Sequence, residues 1–272
     1  MKSVLLASTL SIVSFLAACG PDNGSDIGTP EELATVPKSY LGLLTKHTGT
    51  RCHFCGTWGW DAMEIAQTQL KDKAVIYAVM GNHDFAEYLV SEFSTELDEF
   101  CKIEAYPTFL VNIKTDRSPW GSDENLWGQV VIDDSETLID SLAAKPITIN
   151  GAYQIEIKDG KAFCEANFRF FEDVDGEYYG TIWLDESKMV APQDGYEGPD
   201  PEHHHVLRTA TTASVFGEEI AKGKIVKDHF VQRNWQIDLD ESWKTENLEA
   251  SVLIFKKERK EWIFVNASKA TF

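Results

Sequence analysis

The chain has 272 residues, of which 43% are hydrophobic and 25% charged, and a formal net charge of −19. That acidic balance argues against a phosphate-backbone ligand, because no basic run offsets it. The nearest one, Lys256-Lys257-Glu258-Arg259-Lys260, is interrupted by Glu258 and reads as a hairpin turn, so nucleic acid is not expected as a partner.

The chain opens with Lys2, an apolar run over residues 4–18, and then Leu16-Ala17-Ala18-Cys19-Gly20 ahead of a polar stretch. The run is shorter than the ~20 apolar residues a membrane helix needs, so residues 1–18 read as a cleavable signal peptide. The apolar-small-small-Cys order resembles the lipobox of bacterial lipoproteins. That resemblance implies lipidation of Cys19, anchoring on a membrane through more than one acyl chain, and, with Gly20 following, a place on the outer membrane. Residues 19–34 begin with this cysteine and continue through Gly, Pro, Asp, Asn and Ser, a composition that reads as a flexible tether. The remainder suits two compact domains at the usual ~100–200 residues each.

Residues 39–46 are apolar and extended in character and feed into Arg51-Cys52-His53-Phe54-Cys55-Gly56. A helix is expected next, since Trp60, Met63, Ile65, Ala66 and Leu70 fall near helical spacing. Residues 74–80 form a continuous apolar run suited to a strand buried on both faces. Asp84 is placed to cap a further helix, along which Phe85, Leu89, Phe93, Leu97 and Phe100 recur. A strand is expected from Tyr106-Pro107-Thr108, another over residues 126–132, and a last helix over residues 135–144 capped by Asp133 or Asp134.

A cysteine at a helix N-terminus faces unpaired backbone N–H groups and the positive end of the helix dipole, which favour thiolate over thiol. Arg51 and His53 add positive charge beside Cys52, and a stabilised thiolate makes the corresponding disulfide more oxidising. The same CxxC is also consistent with a permanently oxidised structural clip, since disulfides are routine in exported proteins. Zinc lacks ligands, because no second CxxC exists.

The β-α-β-α order, with CxxC at the first helix and Pro107-Thr108 opening the third strand, resembles the thioredoxin fold over residues 35–145. The resemblance implies that Cys52 attacks, that Cys55 resolves the mixed disulfide, and that Pro107 is a cis-proline shaping the peptide groove. Arg51 stands where thioredoxins usually carry Trp, and Tyr106 precedes the proline where a smaller aliphatic residue is common. Such exchange needs no metal or organic cofactor. Cys101 and Cys164 remain, either as a second disulfide or, for Cys101, as an inert buried thiol.

From residue 146 to 272 the character changes to short β-rich runs: residues 147–149, 152–157, 163–171, 178–184, 206–213, 224–231, 234–239, 248–255 and 261–267. Turn signals such as Asp159-Gly160 and Asp175-Gly176 separate them, and an antiparallel, Ig-like β-sandwich is expected. The fold class is therefore α+β in two domains. The run His203-His204-His205-Val206-Leu207-Arg208, the acidic stretch over residues 193–201, Phe216-Gly217 and the closing strand pair resemble the C-terminal half of an outer-membrane lipoprotein family named after a twenty-eight-kilodalton protein. That resemblance implies a thioredoxin-like part joined to a β-rich part. On a strand His203 and His205 would share one face beside Glu202, yet no fourth metal ligand is identifiable. Arg208 is expected to pair with carboxylates, and Trp183, Trp235 and Trp262 are assigned to the core.

Two functions are compatible with these residues. One is thiol-disulfide exchange on exported proteins through Cys52, Cys55, Pro107, His53 and Arg51. The other is an adhesion or ligand-binding lipoprotein in which the CxxC is structural.

Overall fold

The computed structural model describes residues 27–81, 87–116 and 126–272. Cys19, the leader, and the expected Asp84 cap lie outside those residues. The chain is a mixed α/β protein built on a large twisted sheet.

The first elements are α1 (Pro30–Thr35), β1 (Gly42–Thr48), α2 (His53–Gly56), α3 (Trp58–Gln69) and β2 (Ala74–Met80). Thr29 and Glu32 close a capping box on α1, and the adjoining Gly28 N–H donates to the Asp228 carbonyl at 3.1 Å. The end of the stretch read as tether is thus held against the folded body. Strands β1 and β2 run parallel, as a crossover through helices requires, and every residue of both is buried. Side chains alternate across the pleat. Leu44 faces a core shared with α3, and Leu43 faces a second core on the other side of the sheet.

After β2 come α4 (Glu92–Cys101), β3 (Thr108–Val111), β4 (Thr115–Asp116) and α5 (Trp127–Ala143). Helix α4 is capped by the Ser91 hydroxyl, which accepts from the Ser94 N–H. Residues 126–132, expected as a strand, instead begin α5, and Asp133 and Asp134 lie inside that helix. Its buried positions Val131, Ile132, Ser135 and Ile139 recur at helical spacing across the supposed boundary, and α5 packs on α3. A short apolar run looks alike in a strand and in a buried helix, and here tertiary packing decided.

The β-rich part comprises β5 (Ile149–Lys158), β6 (Lys161–Phe170), β7 (Val174–Glu186), β8 (Met189–Val190), β9 (Glu202–His203), β10 (Val206–Ala210), β11 (Glu218–Ile225), β12 (Phe230–Asp238), β13 (Leu248–Glu258) and β14 (Glu261–Ser268). The run at 224–231 is corrected: it spans the turn between β11 and β12, where the Lys227 N–H donates to the Asp173 carboxylate at 2.7 Å.

The large sheet has the order β14-β13-β7-β10-β2-β1-β3-β4, with β11 also pairing β7. A three-stranded sheet, β12-β6-β5, packs across its C-terminal strands. Phe168, Phe170, Ile182, Val252 and Ile254, from the two sheets, meet in one apolar core. Each such side chain stabilises by about 2 kcal/mol on burial. The two halves of the sequence share the large sheet through β10, whose Val206 pairs with Ala78 of β2.

Candidate functional site

The site grows from the C-terminal end of β1. Thr45 and His47 point to the α4 side and Lys46 and Thr48 to the α3 side, so one strand end supplies polar groups to two opposite faces. The chain then turns through Gly49 and Thr50 to Cys52, the N-cap of α2, whose sulfur accepts from the Cys55 N–H at 3.2 Å. Cys52 and Cys55 are joined in a disulfide, with Cα atoms 5.2 Å apart. Cys55 is fully buried, Cys52 is half-buried, and Arg51 and His53 are exposed on either side of it.

Across from the disulfide, the Tyr106–Pro107 bond is cis, and the Tyr106 carbonyl oxygen lies 3.3 Å from Cys52 Sγ. The five residues expected to work together are therefore in one place. Tyr106 is held by a network that was not foreseen. Its hydroxyl donates to Asp98 Oδ2, while Asp98 Oδ1 pairs with His47 Nδ1 at 2.6 Å and His47 Nε2 meets Thr45 Oγ1 at 3.1 Å. Gly81 leaves room for the ring, since a Cβ there would sit 2.0 Å from the tyrosine oxygen. Burial and the Asp98 carboxylate push the Tyr106 hydroxyl well above its ordinary range, so it stays a donor.

Behind the disulfide lies Lys46, whose side chain is buried and whose Nζ donates to the Cys55 carbonyl at 3.2 Å. Burial lowers its ammonium to about 7, partly opposed by Asp61. A cavity of about 340 Å³ opens beside it, between α3 and the 193–204 segment. That segment reaches back over the cysteine loop: Gln193 Nε2 lies 3.1 Å from the carbonyls of Gly49 and Cys52, and Asp194 N–H donates to Thr50. Gly56 and Gly195 admit the close approach, since a Cβ on either would sit about 2 Å from backbone oxygens of Asp194 and His53. The signal for these residues in the sequence is Lys46 and His47 standing inside an apolar strand run; nothing local marks Gln193.

The two remaining cysteines do not pair. Cys101 Sγ donates to the Ile113 carbonyl at 3.6 Å, and Cys164 is buried on β6. Burial pushes both thiols up to about 12, Cys101 with help from Asp98, so both are inert at neutral pH.

The shared face expected for His203 and His205 is not found, because the strand breaks between β9 and β10 and His205 has a φ of 55°. His203 turns inward, its Nε2 3.3 Å from the Ala191 carbonyl and its ring 5.3 Å from Trp60. His205 Nδ1 instead meets Asp185 at 3.1 Å, and with Glu249 these form the grouping of metal-type ligands found among the described residues. Arg208 pairs with Glu186 at 3.5 Å and donates to the Tyr88 carbonyl, a structural role. Trp183 is fully buried, and Trp235 and Trp262 pack against the cores.

No protein-family model matches the chain, and no curated protein matches it. The chain shares a fold with HBP35 of Porphyromonas gingivalis. The two superpose with a TM-score of 0.67 at 16% identity, over 85% of this chain and 75% of that one. A domain of the outer membrane lipoprotein Omp28 from the same organism gives a TM-score of 0.31 at 16% identity, over 44% of this chain and 84% of that one. The sporulation control protein Spo0M of Bacillus subtilis gives 0.25 at 12% identity, over 44% and 49%. These last two are too distant to carry an argument. Among the described residues no helix is long and apolar enough to cross a membrane.

Proposed function

We propose that this chain is a lipid-anchored protein of the bacterial outer membrane whose first part, residues 35–145, is a thioredoxin-like unit carrying out thiol-disulfide exchange on exported proteins. Residues 146–272 form an Ig-like β-sandwich unit that supports and partly covers it. The observation that carries this reading is the Cys52–Cys55 disulfide at a helix start, with Cys52 half-exposed and facing the backbone carbonyl that precedes a cis-proline. Anchoring rests on the leader and Cys19.

In the oxidised protein, a substrate thiolate attacks Cys52 Sγ; the bond to Cys55 breaks, and its electron pair leaves as the Cys55 thiolate. The substrate's second thiolate then attacks the substrate sulfur of the mixed disulfide and displaces Cys52. The substrate gains a disulfide, the protein becomes a dithiol, and two electrons have moved. In reverse, Cys52 attacks and Cys55 resolves. The Tyr106 carbonyl is positioned to pair with an incoming extended peptide, and the Arg51 guanidinium lends positive charge to the Cys52 thiolate, with His53 exposed on its other side.

A redox titration with alkylation and mass spectrometry tests this. A couple between about −120 and −270 mV, with Cys52 alkylated first and a Cys55→Ser variant trapping exported proteins as mixed disulfides, is the expected result.

The 193–201 segment favours a second reading. Gln193 and Asp194 bind the cysteine loop from the β-rich part, as they would around a structural clip in an adhesion or ligand-binding lipoprotein. That reading requires a couple below about −300 mV and no trapped partners.

A further inference from the structure

We propose that the cavity between α3 and the 193–204 segment is a binding site for a small monocarboxylate carried on a compact apolar body. Two polar side chains open onto it from the same face of β1, at alternate positions. Lys46 is 4% exposed; its Nζ donates to the Cys55 carbonyl and lies 5.7 Å over the Trp60 ring, and among the described residues it makes no ion pair with a carboxylate. Thr48 is also 4% exposed, and its Oγ1 has no hydrogen-bond partner among the described residues. A buried cation with no carboxylate in ion-pair contact, Asp61 acting on it only from a distance, and a buried hydroxyl without an acceptor are each costly. A carboxylate satisfies both at once, since each of its oxygens accepts a hydrogen bond.

The remaining lining sets the rest of the ligand. Met63, Ala78, Met80 and Pro201 are apolar walls that a bare inorganic anion would leave unfilled. The volume, about 340 Å³, lies at the lower end of ligand pockets and suits a body no larger than a benzene ring or a branched five-carbon chain. Glu64 and Glu202 stand on the lining and disfavour a dianion, although Glu64 is already engaged by Trp60 Nε1 at 3.2 Å. His203 is kept neutral by burial, which lowers it to about 4, so among the described residues the buried cationic group in the cavity wall is Lys46, whose charged form a bound carboxylate favours. Lys46 meets Cys55 only through its backbone carbonyl and Thr48 touches neither sulfur, so the proposed site does not require that Cys52 exchange.

The test is a titration of the full chain, in detergent micelles, with benzoate, isovalerate, neutral benzamide and inorganic phosphate, read by the ¹³C-methyl signals of methionine. Benzoate or isovalerate is expected to shift Met63 and Met80 saturably, with Met189 as internal reference, while benzamide and phosphate do not. Lys46→Met, which removes an unpaired buried charge, and the near-isosteric Thr48→Val are each expected to weaken binding tenfold or more. If Lys46→Met fails to fold, Thr48→Val decides alone. Absence of saturable shifts with either carboxylate, equal binding of benzamide, a preference for phosphate, or undiminished binding by the folded variants overturns the proposal.

Discussion

The core between the two C-terminal sheets and the end of β1 beneath the disulfide are equally buried but built from opposite materials. Around Phe168 the buried side chains are almost all apolar, and the turns between strands take the left-handed residues, Asp159 and Gly160 among them. Beneath the disulfide four consecutive buried residues, Thr45, Lys46, His47 and Thr48, are polar. Burying polar groups costs unless they find partners, and here Thr45, Lys46 and His47 find them in one another, Asp98 and the Cys55 carbonyl, while Thr48 Oγ1 finds none among the described residues. The Phe168 core lies wholly within the β-rich half, and the disulfide with its network and cavity lies where the other half meets it.

Breaking the first side of the comparison has the largest effect. Phe168→Ala, at a residue packed against Gly180 and Trp235, should cost about 3–5 kcal/mol in denaturant unfolding while leaving the potential of Cys52–Cys55 unchanged in the protein that remains folded. A shift in potential would show that the two regions are coupled through β10.

Removing the centre of the polar network comes next. Asp98→Ala strips partners from buried His47 and from Tyr106, and about 3 kcal/mol of stability should go with it. A loss as small as that of an exposed ion pair, below about 1 kcal/mol, would mean that the network is not holding the Tyr106 carbonyl in place.

The smallest effect sharpens the comparison through pH. Lys46 loses its proton at about 7 when folded, whereas an unfolded lysine keeps it to about 10.4. Between those values the unfolded state binds more protons, so stability rises with pH; below 7 the cost of burying the charge is present in full. Relative to Lys46→Met, wild-type unfolding free energy should climb by about 1 kcal/mol per pH unit from pH 7 to 9. Parallel pH profiles for the two proteins would show that Lys46 is solvated.

Much of this was readable along the chain. The buried strands at 74–80 and 108–111, the helix after the cysteines and the hairpin at Asp159-Gly160 follow from period and turn chemistry, which are local properties of the backbone, whereas the meeting of Cys52 and Cys55 with Pro107 was implied only by resemblance to a known fold. The strand expected at 126–132 became the first turns of α5, because a short apolar run carries no period long enough to separate strand from buried helix.

What only the tertiary structure decided is long-range. Val206 beside Ala78 joins the two halves in one sheet, Gln193 reaches loop carbonyls more than 140 residues away, and His203 and His205 part company at a break in a strand. Lys46 shows why: its residue type and strand were evident, but whether its ammonium met a carboxylate, a carbonyl or a cavity depended on which distant segment closed over it. Local sequence determines how each segment prefers to fold, and the partners of buried polar groups are determined when the segments pack.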